Sequence, residues 1–377
     1  MHDYSEPSLT APPPPGCPAG DPGVGLLPRS LRCRGGYGLS QPVDVFKLTR
    51  ELIDIPSVTG EEFHLGTSLG ELLIRLGYRV ELQEIDSERA NVIATTADQP
   101  KVVLSTHMDT VPPFIAASED EEFIYGRGAC DAKGIIAAQI AAVEKLRGDG
   151  VNEIGLLFTV DEEVTSVGAK ALNELPLATS CRYLINGEPT DNRLAIGTKG
   201  SLQVTIKTGG LAAHSAYPEQ GVSAIEKLLD VLADVRQIEW PADETFGETT
   251  CNIGVISGGT RANVVPDEAQ TVLQIRLATG AQAAKDLLER AVAGRASLEY
   301  KSVHDPVRLL ALDDFEQTIV RFTTDIPYLT NWGTPLLIGP GSILDAHTEH
   351  ERVAKSELLK AVEIYRELVQ RLLDRTT

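Results

Sequence analysis

Basic side chains are scarce in this sequence: 34 Lys and Arg stand against 54 Asp and Glu, for a net charge of −20. Nucleic-acid binders present basic patches to the phosphate backbone, and no Lys/Arg cluster of that kind occurs here, so that class of partner is excluded. Long hydrophobic runs are also missing. Nothing approaches the ~20 apolar residues of a membrane span, and the N-terminus lacks the apolar core of a secretory signal. The expected location is therefore the cytoplasm, with no membrane partner. Cysteine is sparse: Cys17, Cys33, Cys130, Cys181 and Cys251 are odd in number and scattered, a pattern that suits free thiols of a reducing compartment better than a disulfide framework. Neither a P-loop nor a dinucleotide fingerprint appears.

What is present is enough chain for two cores: 377 residues, 42% of them hydrophobic, with 33 glycines. Residues 1–41 differ from the rest, with "APPPPG" and little hydrophobic periodicity. Such a stretch cannot bury enough apolar surface to offset its ordering entropy, so it reads as a disordered extension; a proline-rich partner ligand is the rival and would need a repeated PxxP pattern. From residue 42 the spacing predicts two helices, then strands "YRVELQEI", "ANVIATT" and "KVVLSTH", a small-residue helix opening at Asp131, and a buried strand "EIGLLFTV". Between 199 and 310 the order becomes βαββαβ, the ferredoxin-like plan. The expected fold is α/β: a catalytic domain over 42–198 and 311–377, with a mixed central sheet flanked by helices, and an inserted α+β lid or dimerisation domain over 199–310.

Metal-ligand residue types recur in order along the first and last of these segments: His107 and Asp109 in "STHMDT", Asp131 in "GRGACDAKG", Glu162 and Glu163 in "TVDEEVTS", Glu188 in "INGEPT" and His347 in "GPGSILDAH". Zinc takes imidazole nitrogen and carboxylate oxygen, and two zinc ions about 3.5–4 Å apart can share a carboxylate and a water. Each segment has a plainer reading: a polar strand end for His107 and Asp109, a helix N-cap for Asp131, a solvated turn for the glutamate pair. The sites after "KVVLSTH" and "EIGLLFTV" fall at the C-terminal ends of strands, where open α/β sheets bind their ligands.

From about Leu52 to the C-terminus, these segments resemble the co-catalytic zinc family of acetylornithine deacetylase, succinyl-diaminopimelate desuccinylase, aminoacylase and glutamate carboxypeptidase; "GPGSILDAH" is most similar to the acetylornithine deacetylase branch. The resemblance implies two Zn²⁺ per subunit, with Co²⁺ as a substitute. It implies His107, Asp131 and Glu188 at the first zinc and Asp131, Glu163 and His347 at the second, Asp131 bridging. Asp109 would receive the other ring N–H of His107, and Glu162 would act as general base. His350 is the rival to His347, and Glu351 matches an acidic position of the family. On the lid, His214 would stabilise the oxyanion, while Asn263 and Arg276 would hold the substrate's carboxylate or carbonyl; for Arg276 a strand-edge salt bridge is the alternative. His2, His64 and His304 lie outside these motifs and read as surface or boundary residues. The implied activity is hydrolysis of an N-acyl amino acid, N-acetylornithine first, by a homodimer joined through the lid. A desuccinylase or metallo-exopeptidase acting on peptides is the runner-up, and a non-catalytic binding protein stands behind both.

Overall fold

The computed structural model describes residues 43–375; the expected extension over 1–41 falls outside the described residues. Helices α1 (Val45–Ile53) and α2 (Phe63–Arg75) form where apolar residues recur at helical spacing. They bury Leu48 and Leu52, and Leu65, Leu69 and Leu73, respectively. Strands β1 (Arg79–Asp86), β2 (Arg89–Thr95), β3 (Val102–His107), β4 (Ile154–Thr159), β5 (Tyr183–Asn186) and β6 (Leu194–Thr198) follow, with helix α3 (Lys133–Gly148) between β3 and β4 and helix α4 (Val167–Asn173) between β4 and β5. The chain then forms β7 (Gly200–Gly209), β8 (Ala213–His214), α5 (Ala224–Val235), β9 (Thr250–Gly258), β10 (Val264–Val265), β11 (Glu268–Leu277), α6 (Ala281–Val292) and β12 (Ser297–His304). It closes with β13 (Val307–Arg308), β14 (Gln317–Val320), β15 (Thr334–Leu337) and helix α7 (Lys355–Asp374).

The large sheet has nine strands in the order β1-β2-β4-β3-β5-β15-β6-β13, with β14 also paired to β6. It is mixed: β3 runs parallel to β4 and β5, and β15 parallel to β5, while β1, β2 and β13 pair antiparallel with their neighbours. Strand alternation sorts its two faces. Val102, Leu104, Leu156 and Phe158 pack into the core shared with α1, α3 and α7, whereas Val103, Leu157 and Leu184 turn toward α4 and Trp332. All seven sheet residues are essentially inaccessible to water, and burial of that kind contributes roughly 1.5–3 kcal/mol per side chain. The α/β plan with a mixed, helix-flanked sheet agrees with the sequence expectation.

The second sheet, β9-β11-β7-β12, is antiparallel throughout. Its strands and α5 and α6 follow the βαββαβ order and share a separate core that includes Leu202, Val204, Ile206, Leu273 and Ile275. Its other face is mostly polar, with Val255 and Val272 as apolar members. Thr250, Arg276, Ser201 and His304 stand in register across the four strands, so their side chains share one row. Strands β8 and β10 form a short pair apart from both sheets. No helix among the described residues is long and apolar enough to cross a membrane.

Candidate metal centre

Because β3, β4, β5 and β15 are parallel, their C-terminal ends lie along one edge of the sheet, and each runs into a segment that carries polar groups. His107 is the last residue of β3. The turn after β4 places Asp161 at φ +66°, and this left-handed residue turns the chain so that Glu162 and Glu163 follow it into the cleft. Glu188 follows β5. After β15 comes Gly339-Pro340-Gly341-Ser342, where a side chain would not fit: a Cβ on Gly339 would lie 2.5 Å from the Glu188 carbonyl oxygen, and one on Gly341, at φ +85°, 2.4 Å from Cys130 Cβ. The two glycines therefore let the His347 turn close on both the Glu188 and the Asp131 segments.

Asp131 is the hub. Its Oδ1 is 2.9 Å from His107 Nε2 and its Oδ2 3.2 Å from His347 Nε2; that same Nε2 is 2.9 Å from Glu163 Oε1. His107, Asp131 and Glu163 offer ligand atoms that all lie within 4.8 Å of one another. The expected helix opening at Asp131 is corrected. Helix α3 starts at Lys133 with Ala132 at its cap, so the Asp131 carboxylate caps nothing and is free to face the two histidines. His350 stays outside this group, exposed, with its backbone N–H donated to Thr348.

Asp109 departs in detail from the expected arrangement. His107 Nδ1 is 3.0 Å from the Asp109 carbonyl oxygen and 3.5 Å from its carboxylate. The carboxylate instead accepts the backbone N–H groups of Glu162 and Glu163 at 3.0 and 3.1 Å and the Thr59 hydroxyl at 2.9 Å. One buried carboxylate thus fixes both glutamates at once. Glu351 does the same for the opposite loop. It accepts the N–H groups of Gly128, Cys130 and Asp131 and pairs at 2.6 Å with Arg127, both side chains being fully buried.

The remaining sequence-predicted residues lie elsewhere. His214 is exposed on β8, its Nδ1 accepting the Ala216 N–H, and Asn263 is exposed beside it, its carbonyl accepting the Ser215 N–H. No hydrogen bond joins either to the Asp131 cluster among the described residues. Arg276 is half-buried on β11, an interior strand, with no ion pair among the described residues, so the strand-edge salt bridge does not form. Burial lowers its pKa. His304, read from the sequence as a surface or boundary residue, is half-buried, and its Nε2 lies 2.9 Å from the Tyr328 hydroxyl. Asp325 was missed entirely; it is buried and accepts the Thr159 hydroxyl at 2.8 Å.

A model of peptidase family M20/M25/M40 matches residues 103–371. A protein named "Probable carboxypeptidase" from Aspergillus terreus is 38% identical over 366 residues, spanning 85% of this chain and 84% of its own. A peptidase M20 domain-containing protein of Schizosaccharomyces pombe is 36% identical, spanning 86% and 84%. The chain belongs to peptidase family M20/M25/M40. Among solved structures, the aminopeptidase PepT from Bacillus cereus superposes with a TM-score of 0.72 at 22% identity, covering 89% of this chain and all of that one. The M20 family metallo-carboxypeptidase Sso-CP2 from Sulfolobus solfataricus gives 0.69 at 17%, covering 86% and 98%. At those identities the likeness shows the shared fold.

In this M20 hydrolase the cluster carries more acid than its histidines can offset. Asp131 is held below the ordinary carboxylate range because hydrogen bonds from His107 and His347 outweigh its burial. His347 is pushed up to about 10 by Asp131 and Glu163. Glu188 and Glu162 move the other way, raised first by desolvation and then by neighbouring acids, Asp131 beside Glu188 and Glu188 beside Glu162. Burial also raises Asp325 to about 6. Glu188 Oε1 is buried with no hydrogen-bond partner. Buried like charges and an unpartnered carboxylate oxygen are the setting a divalent cation relieves, so the residues present fit the metals expected from the sequence.

Proposed function

We propose that this chain is a two-metal exopeptidase that releases the C-terminal residue of a small peptide, with Zn²⁺ as the metal and Co²⁺ as a substitute. The observation that carries the reading is the meeting of His107, Asp131, Glu163 and His347, two oxygens of one carboxylate facing two histidines, in a chain 38% identical to a protein named "Probable carboxypeptidase". His107, Asp131 and Glu188 would hold one ion and Asp131, Glu163 and His347 the other. When bound, such a pair supplies Lewis-acid polarisation of the acyl oxygen and a lowered pKa for water. Glu162 takes the proton from the attacking water and returns it to the departing amine. Asp109 keeps the base aimed by holding the N–H groups of residues 162 and 163.

Arg276, without an acidic partner and on the same row as His304, is the proposed anchor for the free carboxylate, with Asn263 assisting. His214 is the proposed oxyanion donor. Since His214 and Asn263 stand on an exposed arm, we assign them to the neighbouring site of a homodimer joined through residues 199–310, with 42–198 and 311–377 as the catalytic domain. The setting is cytoplasmic, in keeping with free thiols at Cys130, Cys181 and Cys251.

N-acetylornithine deacetylation is the second reading, favoured by the "GPGSILDAH" segment; it shares the metals and the base and differs in the side-chain and acyl pockets. Turnover of dipeptides against N-acyl amino acids, on protein loaded with zinc or cobalt, separates the two. Faster release from dipeptides is expected. Exclusive cleavage of N-acetylornithine would replace the first reading with the second, and loss of neither class of substrate would leave a binding protein.

A further inference from the structure

Against Glu162 and Glu163 lies a cavity of about 150 Å³ whose other lining residues the reaction just described leaves unused. One wall is the turn after β4, with Glu162, Thr165 and Ser166; a second is the 323–328 loop, with Thr324 and Tyr328; the third is the end of β12, with Ser302 and His304. Two walls thus come from the large-sheet part of the chain and one from the four-stranded unit. The hydrogen bond between His304 and Tyr328, 2.9 Å long, ties that third wall down. An occupant of this cavity would sit next to the base, and hence next to the bond being cut.

The lining selects one kind of occupant. Apart from Val164, it consists of hydroxyls, an imidazole and carboxylates. An apolar group would strip water from these atoms and give them no partner, and leaving such a group unsatisfied costs roughly 1–3 kcal/mol. An anion would face the carboxylates of Glu162 and Glu163, and no Lys or Arg is among the lining residues to offset them. Lys170, the nearby ammonium, donates instead to the Thr165 carbonyl at 2.7 Å and lies over the Tyr328 ring, 4.4 Å from its centroid. A cation would pair with Glu162 and hold down the carboxylate that must accept a proton. His304 is kept neutral, since its burial and then the charge of Lys170 both lower its pKa.

We propose that this cavity is the subsite for an uncharged, hydrogen-bonding side chain of the substrate, of the asparagine or glutamine type, with His304 and Tyr328 as the residues that select it. The proposal rests on the exopeptidase reading and adds the side-chain class. It also makes the position of the four-stranded unit part of selectivity, because the selecting imidazole arrives on β12.

The test uses two series of dipeptides on the metal-loaded full chain, one varying the residue before the scissile bond and one the residue after it, with alanine as the constant partner. In one of the series, asparagine and glutamine should exceed leucine, lysine and glutamate by about tenfold or more in kcat/KM. His304→Ala and Tyr328→Phe should each reduce that preference to about threefold or less, mainly through KM, while His304→Gln, which keeps a hydrogen-bonding group, retains part of it. A preference for leucine, lysine or glutamate in both series would overturn the proposal. So would an asparagine preference that survives in both His304→Ala and Tyr328→Phe. Should no dipeptide be cleaved, the exopeptidase reading fails, and calorimetric titration of asparagine against leucine into the metal-loaded protein reads the subsite separately. Binding of asparagine alone, lost in Tyr328→Phe with an unchanged melting temperature, supports the subsite; equal or absent binding of both overturns it.

Discussion

The Asp131 cluster and the β8–β10 arm carry their proposed functional groups in opposite conditions. In the cluster, His107, Asp109, Asp131 and Glu188 are buried, carboxylates from distant segments hold the backbone around them, and even the exposed His347 has both its carboxylate partners, Asp131 and Glu163, in its own chain. On the arm, His214 and Asn263 are exposed, with Leu211, Tyr217 and Val222 exposed near them. A buried polar group must find its partners within its own chain. An exposed one can be satisfied by water and so is free to meet a second surface. The difference teaches that the metal-binding half of the site finds its partners within one chain, whereas the proposed oxyanion half makes no hydrogen bond to that cluster among the described residues, as the dimer proposal requires.

Three experiments break or sharpen that contrast. The largest effect is expected inside the cluster. Glu162→Ala should keep most of its bound metal and lose two or more orders of magnitude in turnover, as for removal of a general base, whereas Glu163→Ala should lose metal at one site. Metal analysis of the two purified variants decides this, and equal loss from both would overturn the division of roles between the pair. Next comes the arm. His214→Ala should cost on the order of 10²–10³ in turnover, with metal content unchanged. Mixing it with Glu162→Ala under subunit exchange should restore part of the activity, because one site of a mixed dimer then has both groups. Verified mixed dimers without recovery would put His214 in its own chain's site or outside the reaction.

The smallest effect concerns Glu62, a buried acid that accepts the N–H groups of Gly60 and Asp161 behind the glutamate turn. Its pKa is raised from 4.5 to about 7 by burial and then by Asp109. Between those two values the folded chain keeps a proton that the unfolded chain has lost. Glu62 therefore contributes stability that is full below pH 4.5 and is lost as pH rises through about 7. Glu62→Gln stays neutral throughout. Melting of the metal-free protein should show the variant gaining on the parent from pH 4.5 to 8, with no further gain above that; a constant offset would mean that Glu62 titrates normally.

Much of this was legible in the sequence, for a physical reason. A strand buried on both faces reads as an apolar run, so the polar residues that end "KVVLSTH" and "EIGLLFTV" stand out against it, and parallel strands bring such ends together. The βαββαβ order was legible in the same way, from two-residue and helical periodicities that alternate cleanly between 200 and 304. Groups that act by tertiary approach left no such mark. Asp325 caps and Tyr328 ends a single 3-10 turn, Ile326–Tyr328, too short to leave a periodic signal, and His304 ends a strand whose partner surface belongs to another part of the chain. The helix start was displaced because an aspartate before a small-residue helix looks like a cap until two histidines are found facing it. Glu351 was marked only by its resemblance to an acidic family position; its partners lie about 220 residues earlier in the chain.

That separation has a consequence in time. A ribosome delivers β3, α3 and β4 early, along with the loop that carries Asp131, but the carboxylate that pairs the N–H groups of that loop comes in after the whole four-stranded unit has emerged, together with His347. Domains fold as units during synthesis, the first-made segments leading. Here the earliest segments cannot settle their most reactive loop alone. Amide-cleaving capacity should therefore arise late in translation: a chain stalled just before His347 carries four of the five proposed ligands but lacks the carboxylate that orders the Asp131 loop.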